Sequence, residues 1–274
     1  MTKKKKAQLK ILPGTKDIKL LPYQSVLPGG KVTVEQLQIM TVCVENLPSE
    51  LDGIVMSSDL QGVGFDYGNG GAPLPGEIAA GYLHDAMTSG RLLMSPERTG
   101  VMLAGDLYAT GDPGSRGCSG DPTPVWLAFS SRFRWVVGVH GNHDLFPGND
   151  EGKISRCKNV HALDGETISV DGLTLGGIGG IIGKPGKPRR RSESEYLSIL
   201  DALACSDLDV LLTHCGPDTT HGFMGDARIQ ETLDSRDVPL HVFGHCPWPE
   251  PLTVVSGTQL LNVDGRVVVF ERAS

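Results

Sequence analysis

Short apolar runs, separated by polar and glycine-rich turns, recur along most of the chain. Runs of this length that are bounded by turn residues are typical of buried strands. They lie at residues 53–59, 101–106, 135–140, 209–214 and 240–245. Segments with the apolar spacing of helices lie between them, at residues 78–94, 124–133 and 193–205. This alternation of strands and helices predicts an α/β fold.

Two Asp-Gly pairs predict tight turns in the second half of the chain. An Asp-Gly pair between β-prone segments is a strong hairpin signal. The pairs are Asp171-Gly172 and Asp264-Gly265, and the second predicts a hairpin at the end of the chain. The flanking β-prone segments are residues 167–170, 173–175, 259–262 and 266–270. Hairpins combined with strand–helix alternation predict mixed rather than purely parallel sheets.

The first fifty residues carry a weaker pattern. Residues 37–44 are β-prone, so we predict that residues 1–50 form an N-terminal extension that partly joins a sheet edge. The main domain is then predicted at residues 51–274. Three long loops are expected to be functional, because ordered long loops in compact domains usually are. They span residues 62–76, 111–123 and 183–194.

Charge and composition exclude several classes of partner. The chain has 274 residues, with 25 Lys and Arg against 32 Asp and Glu, which gives a formal charge of −7. A net acidic chain argues against a broad nucleic-acid or anionic-membrane surface. The sequence contains neither the apolar segment of a secretory signal nor an apolar run long enough to span a membrane. We therefore expect a cytoplasmic protein that is not bound to a membrane. The six cysteines include no CxxC pair and are predicted to be reduced core residues.

The five main apolar runs all end in side chains that can bind metal ions. Such strand ends meet at one edge of an open α/β sheet, where ligand sites form. Carboxylate, amide and imidazole together suit borderline divalent metals. The endings are Asp59-Leu60-Gln61, Gly105-Asp106, Gly141-Asn142-His143-Asp144, Thr213-His214 and Gly244-His245.

In their order, these endings resemble the motif blocks of the calcineurin-like metallophosphoesterases: D-x-H, GD, GNH-D/E, an isolated H, and GH-x-H. The resemblance covers about residues 52–271. It implies two mixed β-sheets packed as a sandwich with flanking helices, a four-layer fold. It also implies a metal-dependent phosphoesterase that hydrolyses phosphate mono- or diesters with a metal-activated hydroxide.

The resemblance implies a role for each block. Asp106 would bridge two metal ions, and Asp59 would belong to one of them. The other ion would be completed by Asn142, His214 and His245. His143 would act on the leaving oxygen as an acid or charge stabiliser, held in place by Asp144. The expected cofactors are divalent ions, one or two per chain, of manganese, iron, magnesium or zinc.

Two positions depart from the family pattern. Gln61 stands where the family has the histidine of D-x-H, and Pro247 stands where it has the last histidine of GH-x-H. In the family both histidines bind the metal held by Asp59, so the sequence predicts one complete site and one stripped site. An amide oxygen of Gln61 is a harder and weaker ligand than imidazole, which favours Mg or Mn there. Cys246 and His221 are the possible substitutes.

A basic run offers a substrate contact. Arg189, Arg190 and Arg191 could hold a phosphate by bidentate hydrogen bonds, although a solvated charged loop is the alternative. The expected partner is a phosphorylated small molecule or a nucleotide. Trp248 could stack on such a substrate or could simply pack in the core.

Two other functions remain open at this point. An interaction scaffold on a metal-depleted phosphoesterase fold is suggested by the missing histidines. A nuclease of the same fold is suggested by the basic run, although the charge of −7 and an aromatic content of 5% argue against it.

Overall fold

The structure is a computed structural model of the chain, and it describes residues 8–26, 31–65, 71–108, 119–146, 151–219 and 222–273. Two large mixed sheets pack face to face. The strands are β1 (Lys10–Ile11), β2 (Lys16–Val26), β3 (Val32–Glu45), β4 (Gly53–Ser58), β5 (Thr99–Leu103), β6 (Trp135–Gly138), β7 (Val160–Ala162), β8 (Glu166–Val170), β9 (Leu173–Ile178), β10 (Ile181–Ile182), β11 (Arg190–Arg191), β12 (Val210–Cys215), β13 (Leu240–Gly244), β14 (Leu252–Val255), β15 (Thr258–Asn262) and β16 (Arg266–Arg272).

The helices flank the sheets. They are α1 (Pro75–Thr88), α2 (Thr123–Ser130), α3 (Glu151–Ile154), α4 (Glu193–Ala204) and α5 (Ala227–Leu233), with a short 3-10 turn at Pro96–Arg98. Helix α1 begins where Pro75 fixes the first turn and Glu77 accepts a hydrogen bond from the Leu74 amide at 2.7 Å. None of the described helices combines the length and the apolar character that a membrane crossing requires.

Each sheet contains a parallel centre. The first sheet has the order β1-β3-β16-β4-β5-β6-β7, with β2 also paired to β3, and β4 to β7 run parallel. The second has the order β14-β15-β13-β12-β9-β8, and its four inner strands are parallel. The carboxyl ends of β4, β5, β6, β12 and β13 therefore lie at one rim of the sandwich.

Three apolar layers hold the four structural layers together. Between the sheets, Met56, Leu212 and Phe270 belong to one buried cluster. The opposite face of the first sheet packs on α1 and α2, and that of the second sheet packs on α4 and α5. In β4, Ile54 and Met56 face the other sheet while Val55 faces the helices, so both faces are buried and the run is continuously apolar. The predicted four-layer α/β fold is confirmed.

The C-terminal hairpin predicted across Asp264-Gly265 is wrong. Strand β15 pairs with β13 and β14 in the second sheet, whereas β16 lies between β3 and β4 in the first. All four residues from Val267 to Phe270 are fully buried, which fits a central strand and not a half-exposed hairpin edge. The hairpin predicted across Asp171-Gly172 is confirmed by the β8–β9 pairing.

The N-terminal part contributes more than a loosely joined segment. Strand β3 pairs with β16 from Gln38 to Val44 and with β2 on its other side. The predicted division of the chain after residue 50 stays a prediction.

Smaller differences concern the loops and the thiols. The sequence predicts a long loop at residues 183–194, but β11 pairs in parallel with β10 and fixes part of it. The loops predicted at 62–76 and 111–123 lie partly outside the described residues. The prediction of core cysteines holds for Cys215, whereas Cys43 and Cys205 are exposed.

Truncation of Phe270 tests the central position of β16. Phe270 is fully buried between the sheets, so we expect Phe270→Ala to lower the free energy of unfolding by about 3–5 kcal/mol in urea titrations. Val254→Ala on β14, where the side chain is 58% exposed, is the control and should change it by less than about 0.5 kcal/mol. Equal losses in the two variants would contradict this placement.

Candidate metal centre

The metal-capable side chains predicted from the strand ends converge at one rim of the sandwich. Asp59 follows β4, Asp106 follows β5 by three residues, Asn142 lies beyond β6, His214 lies near the end of β12, and His245 follows β13. The first three come from one sheet and the last two from the other. The closest donor atoms of Asp106, His214 and His245 all lie within 4.8 Å of one another.

The backbone is strained at three of these metal-capable residues. Asp59, Asp106 and His245 have φ values of 54°, 53° and 71°, in the left-handed region that L-residues rarely adopt. Such a conformation costs about 1–3 kcal/mol per residue and persists only where the surroundings impose it. At these positions it turns each side chain away from its strand and toward the rim.

Glycines make the close approach of the strand ends possible. A Cβ on Gly141 would lie 2.0 Å from Asp106 Oδ1, and one on Gly244 would lie 1.9 Å from Ser58 Oγ and 2.2 Å from Asp59 Oδ2. Gly105 has a φ of +90°, and its Cβ would lie 2.2 Å from the Gly141 amide nitrogen. Gly105 is required by its positive φ as well as by contact, while Gly141 and Gly244 are required by contact alone.

His214 lies at the centre of the site and is fully buried. Its Nδ1 lies 2.8 Å from the carbonyl oxygen of Ala104, which can only accept, so Nδ1 carries a proton. Its Nε2 lies 3.2 Å from Asn142 Oδ1 and 3.5 Å from Asp106 Oδ2. Burial lowers the pKa of His214, but the Asp106 and Asp59 carboxylates raise it more, to about 10. Nε2 therefore faces acceptor atoms, which favours a positive charge at this point.

The neighbouring ligands are in the protonation states that a metal ion needs. Burial raises the pKa of Asp106, but the His214 charge and the His143 amide, which donates to Oδ1 at 2.8 Å, lower it on balance. Burial and the nearby His214 lower the pKa of His245 to about 4, so its imidazole is neutral. The two imidazole rings lie 4.9 Å apart.

The other side of the site contains oxygen and amide groups. Asp59 Oδ2 accepts hydrogen bonds from Ser58 Oγ at 2.6 Å and from the His245 amide at 2.8 Å. Gln61 reaches the site, and its Nε2 donates to Asp106 Oδ2 at 3.1 Å. Cys246 is half-buried, and burial raises the pKa of its thiol, which disfavours the thiolate. His221, the other possible substitute, lies outside the described residues.

The expectation that Asp144 holds His143 is wrong. The Asp144 carboxylate is fully buried and accepts three backbone hydrogen bonds instead, from the amides of Asp106, Leu107 and Gly141 at 2.8–3.0 Å. It therefore fixes the loops that carry the ligands. His143 Nδ1 lies 3.2 Å from Ser119 Oγ. The family resemblance implied the Asp144 contact, but the side chains of His143 and Asp144 have different partners.

The three arginines of the basic run have different surroundings. Arg191 makes an ion pair with Asp164 at 2.6 Å and donates to the Gly179 carbonyl at 3.1 Å. The Arg189 guanidinium lies 5.7 Å from the ring centre of Phe146. Burial is the main cause of the low pKa of His245, and the charge of Arg190 adds a smaller contribution. Arg190 forms no ion pair with any other described residue.

Trp248 and Asp264 lie in surroundings that the sequence does not indicate. Trp248 is 1% exposed, stacks on Phe223 and donates to the Met224 carbonyl, so it packs in the core. Asp264, in the connection between β15 and β16, is singled out in the sequence only as part of the Asp264-Gly265 turn. Burial and, after it, the charge of Asp264 raise the pKa of Asp59.

The sequence model of the calcineurin-like phosphoesterases matches residues 54–249. The chain belongs to the calcineurin-like phosphoesterase family. This match spans the ligand blocks from Asp59 to His245 and the strands from β4 to β13, which include four of the eight strands of the first sheet and four of the six of the second. No curated protein matches the sequence.

The chain is similar to several solved structures, and the first of the following shares its fold. TT1561 of Thermus thermophilus has a TM-score of 0.52 at 12% identity, over 77% of this chain and 88% of that one. A hypothetical protein from Thermus thermophilus has a TM-score of 0.46 at 17% identity, over 78% and 76%. The phosphopantetheinyl hydrolase PptH from Mycobacterium tuberculosis has a TM-score of 0.36 at 14% identity, over 77% and 88%.

The donor set of this phosphoesterase fits a divalent cation. The Nε2 of His214, the imidazole of His245 and the carboxylate of Asp106 converge, and Asn142 Oδ1 adds an amide oxygen. Two imidazoles with carboxylate and amide oxygens suit Mn, Fe, Co or Zn. The Ala104 carbonyl fixes the tautomer of His214 that leaves Nε2 for the cation, as outer contacts of metal-binding histidines commonly do.

A methyl group on Gly244 tests the close packing of the strand ends. We expect Gly244→Ala to lower metal affinity by at least about tenfold, because the new Cβ displaces Ser58 and Asp59. Isothermal titration with Mn²⁺ measures this. Gly81→Ala on α1 is the control, because its Cβ meets open space and alanine favours a helix. Unchanged affinity in Gly244→Ala would show that Asp59 is not held by this contact.

Proposed function

We propose that this protein is a metal-dependent phosphoester hydrolase that acts on the phosphate mono- or diester of a small molecule or nucleotide. The observation that carries the proposal is the convergence of acceptor atoms from Asp106, His214 and His245 within 4.8 Å. Membership of the calcineurin-like phosphoesterases supports the same chemistry. Asp59, Asn142 and Gln61 are the further candidate ligands at this rim.

A divalent cation held there would neutralise charge on the phosphoryl oxygens and lower the pKa of a water molecule. We assign to His143 the role of general acid, which donates a proton to the leaving oxygen. In the imidazolium form, which is the form that can give up a proton, Nδ1 of His143 would donate to Ser119 Oγ at 3.2 Å and Nε2 would carry the proton for the leaving oxygen, which leaves a neutral imidazole. The His143 amide also binds Asp106 Oδ1, so the imidazole and the metal-capable carboxylate belong to one rigid turn. Asp144 is assigned a positioning role, through its three backbone hydrogen bonds.

Arg190 is assigned to the anionic part of the substrate. Its support is a half-buried position, its influence on His245 and the lack of an ion pair among the described residues. The segment that carries Arg190 is held by the ion pair of Arg191 with Asp164. It is also held by the pairing of β11 with β10, where Arg190 lies opposite Ile181. Arg189 extends the basic edge next to Phe146. Positive side chains beside a metal centre favour a compact anion, so a phosphorylated small molecule or nucleotide is the proposed partner in the cytoplasm.

The positions of the candidate ligands also bear on the two other candidate functions, an interaction scaffold and a nuclease. A metal-depleted scaffold does not need a metal-capable group, whereas this chain keeps Asp106, His214 and His245 together within 4.8 Å. A nuclease needs stacking platforms, and Trp248 is buried. Neither candidate is favoured by a specific observation.

Metal-dependent cleavage tests the proposed function. We expect Mn²⁺- or Mg²⁺-loaded protein to hydrolyse aryl phosphates, phosphodiesters or nucleotides in a screen across these classes. Asp106→Asn should lose both bound metal and activity, since it removes a ligand charge. His143→Gln should keep its metal and lose about 10²- to 10⁴-fold in kcat, since it removes only the proton donor.

Asp85→Asn, an exposed change on α1, is the matched control and should alter neither quantity. Protein that binds no metal and cleaves none of these substrates would contradict the proposal and would favour a scaffold.

Substitution of Arg190 tests its assigned role. We expect Arg190→Gln to raise KM by about 10- to 100-fold with little change in kcat, because a charge-assisted hydrogen bond to the substrate is lost. Initial-rate kinetics at saturating metal measure the two constants separately. Arg132→Gln, two residues beyond the end of α2, is the control, because this side chain is exposed and donates to the Ala128 carbonyl. A loss confined to kcat would instead place Arg190 at the reacting phosphoryl group.

A further inference from the structure

The hairpin of β2 and β3 stands beyond the rim that carries the metal-capable residues. Strand β3 pairs with β16 only from Gln38 onward, and Gln38, Arg266 and Ser58 lie side by side at the rim end of β3, β16 and β4. Residues 32–37 therefore extend past the end of β4, and in the described part of the chain no strand pairs with them on that side. At about 3.3 Å per residue, Val34 lies about 13 Å above the level of Ser58.

The hairpin is fixed to the segment that follows Asp59. The Gln24 amide donates to the Val63 carbonyl at 2.7 Å, and the Val63 amide donates to the Gln24 carbonyl at 2.9 Å. The ring of Tyr23 lies against Gly62, where a Cβ would lie 2.3 Å from Tyr23 Cδ2. The hairpin and the loop that begins at Asp59 are therefore packed as one unit.

The two faces of this hairpin differ in burial. Leu21 and Leu37 lie on one face and belong to the buried cluster between the first sheet and its helices. The opposite face continues the side of β3 on which Met40 packs between the two sheets, so it is turned toward the side of the second sheet. We call it the bare face. Its residues, in facing pairs, are Leu20 and Gln38, Pro22 and Gln36, Gln24 and Val34, and Val26 and Val32.

The bare face is both exposed and uncharged. Leu20, Val32 and Val34 are 52%, 41% and 54% exposed. None of its eight residues carries a charge, although charged residues make up 21% of the chain. Strand β16 alone separates β3 from β4, so this face lies about 10 Å to the side of Asp59. An exposed apolar surface beside a few polar groups is typical of a ligand-binding groove.

We propose that the bare face receives the organic part of the phosphoester, and that this part is an apolar alkyl or aryl group. The proposal rests on the proposed function, because it places the phosphoryl group at the metal centre. An organic group about 10 Å long spans the distance from that centre to β3. Contact with Leu20 and Val34 removes apolar surface from water on both partners, which favours an apolar group over a charged or strongly hydrated one.

A second copy of the chain is a weaker match for the bare face. A stable protein interface covers about 800 Å² on each partner. Three half-exposed apolar side chains offer far less than that. Self-association through this face would instead appear as a dimer in solution.

Binding of alkylphosphonates tests the proposal without catalysis, because their carbon–phosphorus bond is not a phosphoester. Methyl-, butyl- and octylphosphonate are titrated into Mn²⁺-loaded protein by isothermal calorimetry. We expect octylphosphonate to bind about 50-fold more tightly than methylphosphonate. This ratio corresponds to the burial of about three methylene groups at about 0.8 kcal/mol each.

The double variant Leu20→Thr/Val34→Thr makes the bare face more polar, while threonine keeps a high strand propensity. We expect its octyl-to-methyl ratio to fall below about tenfold, whereas its affinity for methylphosphonate should not change because the metal centre is intact. Val254→Thr is the matched control and should keep the wild-type ratio. This exposed position on β14 lies at the end of the second sheet away from the rim.

Val34→Thr alone is the second variant if the double variant does not fold by circular dichroism. A wild type that binds the three phosphonates equally, or a folded variant that keeps the wild-type ratio, would overturn the proposal. So would a dimeric wild type with a monomeric variant in sedimentation, because the bare face would then be an interface between copies. In each of these cases cleavage of aryl phosphates can still support the proposed function. Protein without bound metal and without cleavage would instead contradict the proposed function itself.

Discussion

The architecture of the rim follows from one constraint: polar and charged groups from both sheets are buried together around one imidazole. The Nε2 of His214 lies 3.2 Å from Asn142 Oδ1 and 3.5 Å from Asp106 Oδ2. Removing such groups from water costs free energy, which the rest of the fold must supply. Part of it comes from Asp144, whose three backbone hydrogen bonds fix the two loops that carry Asp106 and Asn142. The remainder comes from the packed sandwich beneath.

The sandwich explains why the ligands can come from two sheets and still form one site. His214 on β12 reaches across to the Ala104 carbonyl beyond β5, so one hydrogen bond joins the two rims. Gly244 allows the end of β13 to lie against Ser58 and Asp59 at the end of β4. Below these contacts, a buried apolar layer that includes Met56 and Phe270 holds the two sheets together. Any separation of the sheets would pull His214 away from Asp106.

The sequence predicted what depends on local pattern. Apolar runs gave the strands, and strand ends gave Asp59, Asp106, His214 and His245, since parallel strands deliver their carboxyl ends to one side. The sheet exchange between β15 and β16 was missed because Asp-Gly signals a turn and does not say which sheet follows. The partners of Asp144 and the position of Asp264 depend on contacts between distant segments, which periodicity does not record.

The resulting site is chemically asymmetric, and its charge has a consequence for substrate binding. Asp106, His214 and His245 bring ligand atoms within 4.8 Å of one another, whereas the Asp59 carboxylate lies beside them and accepts from Ser58 and from the His245 amide. Without a cation, ionised carboxylates at this rim would repel a phosphate ester. A bound divalent cation would offset that charge, and Arg190 would add to the attraction. The net charge of −7 therefore does not exclude an anionic substrate, because the sign of the field at a small site is set by the groups and ions held there.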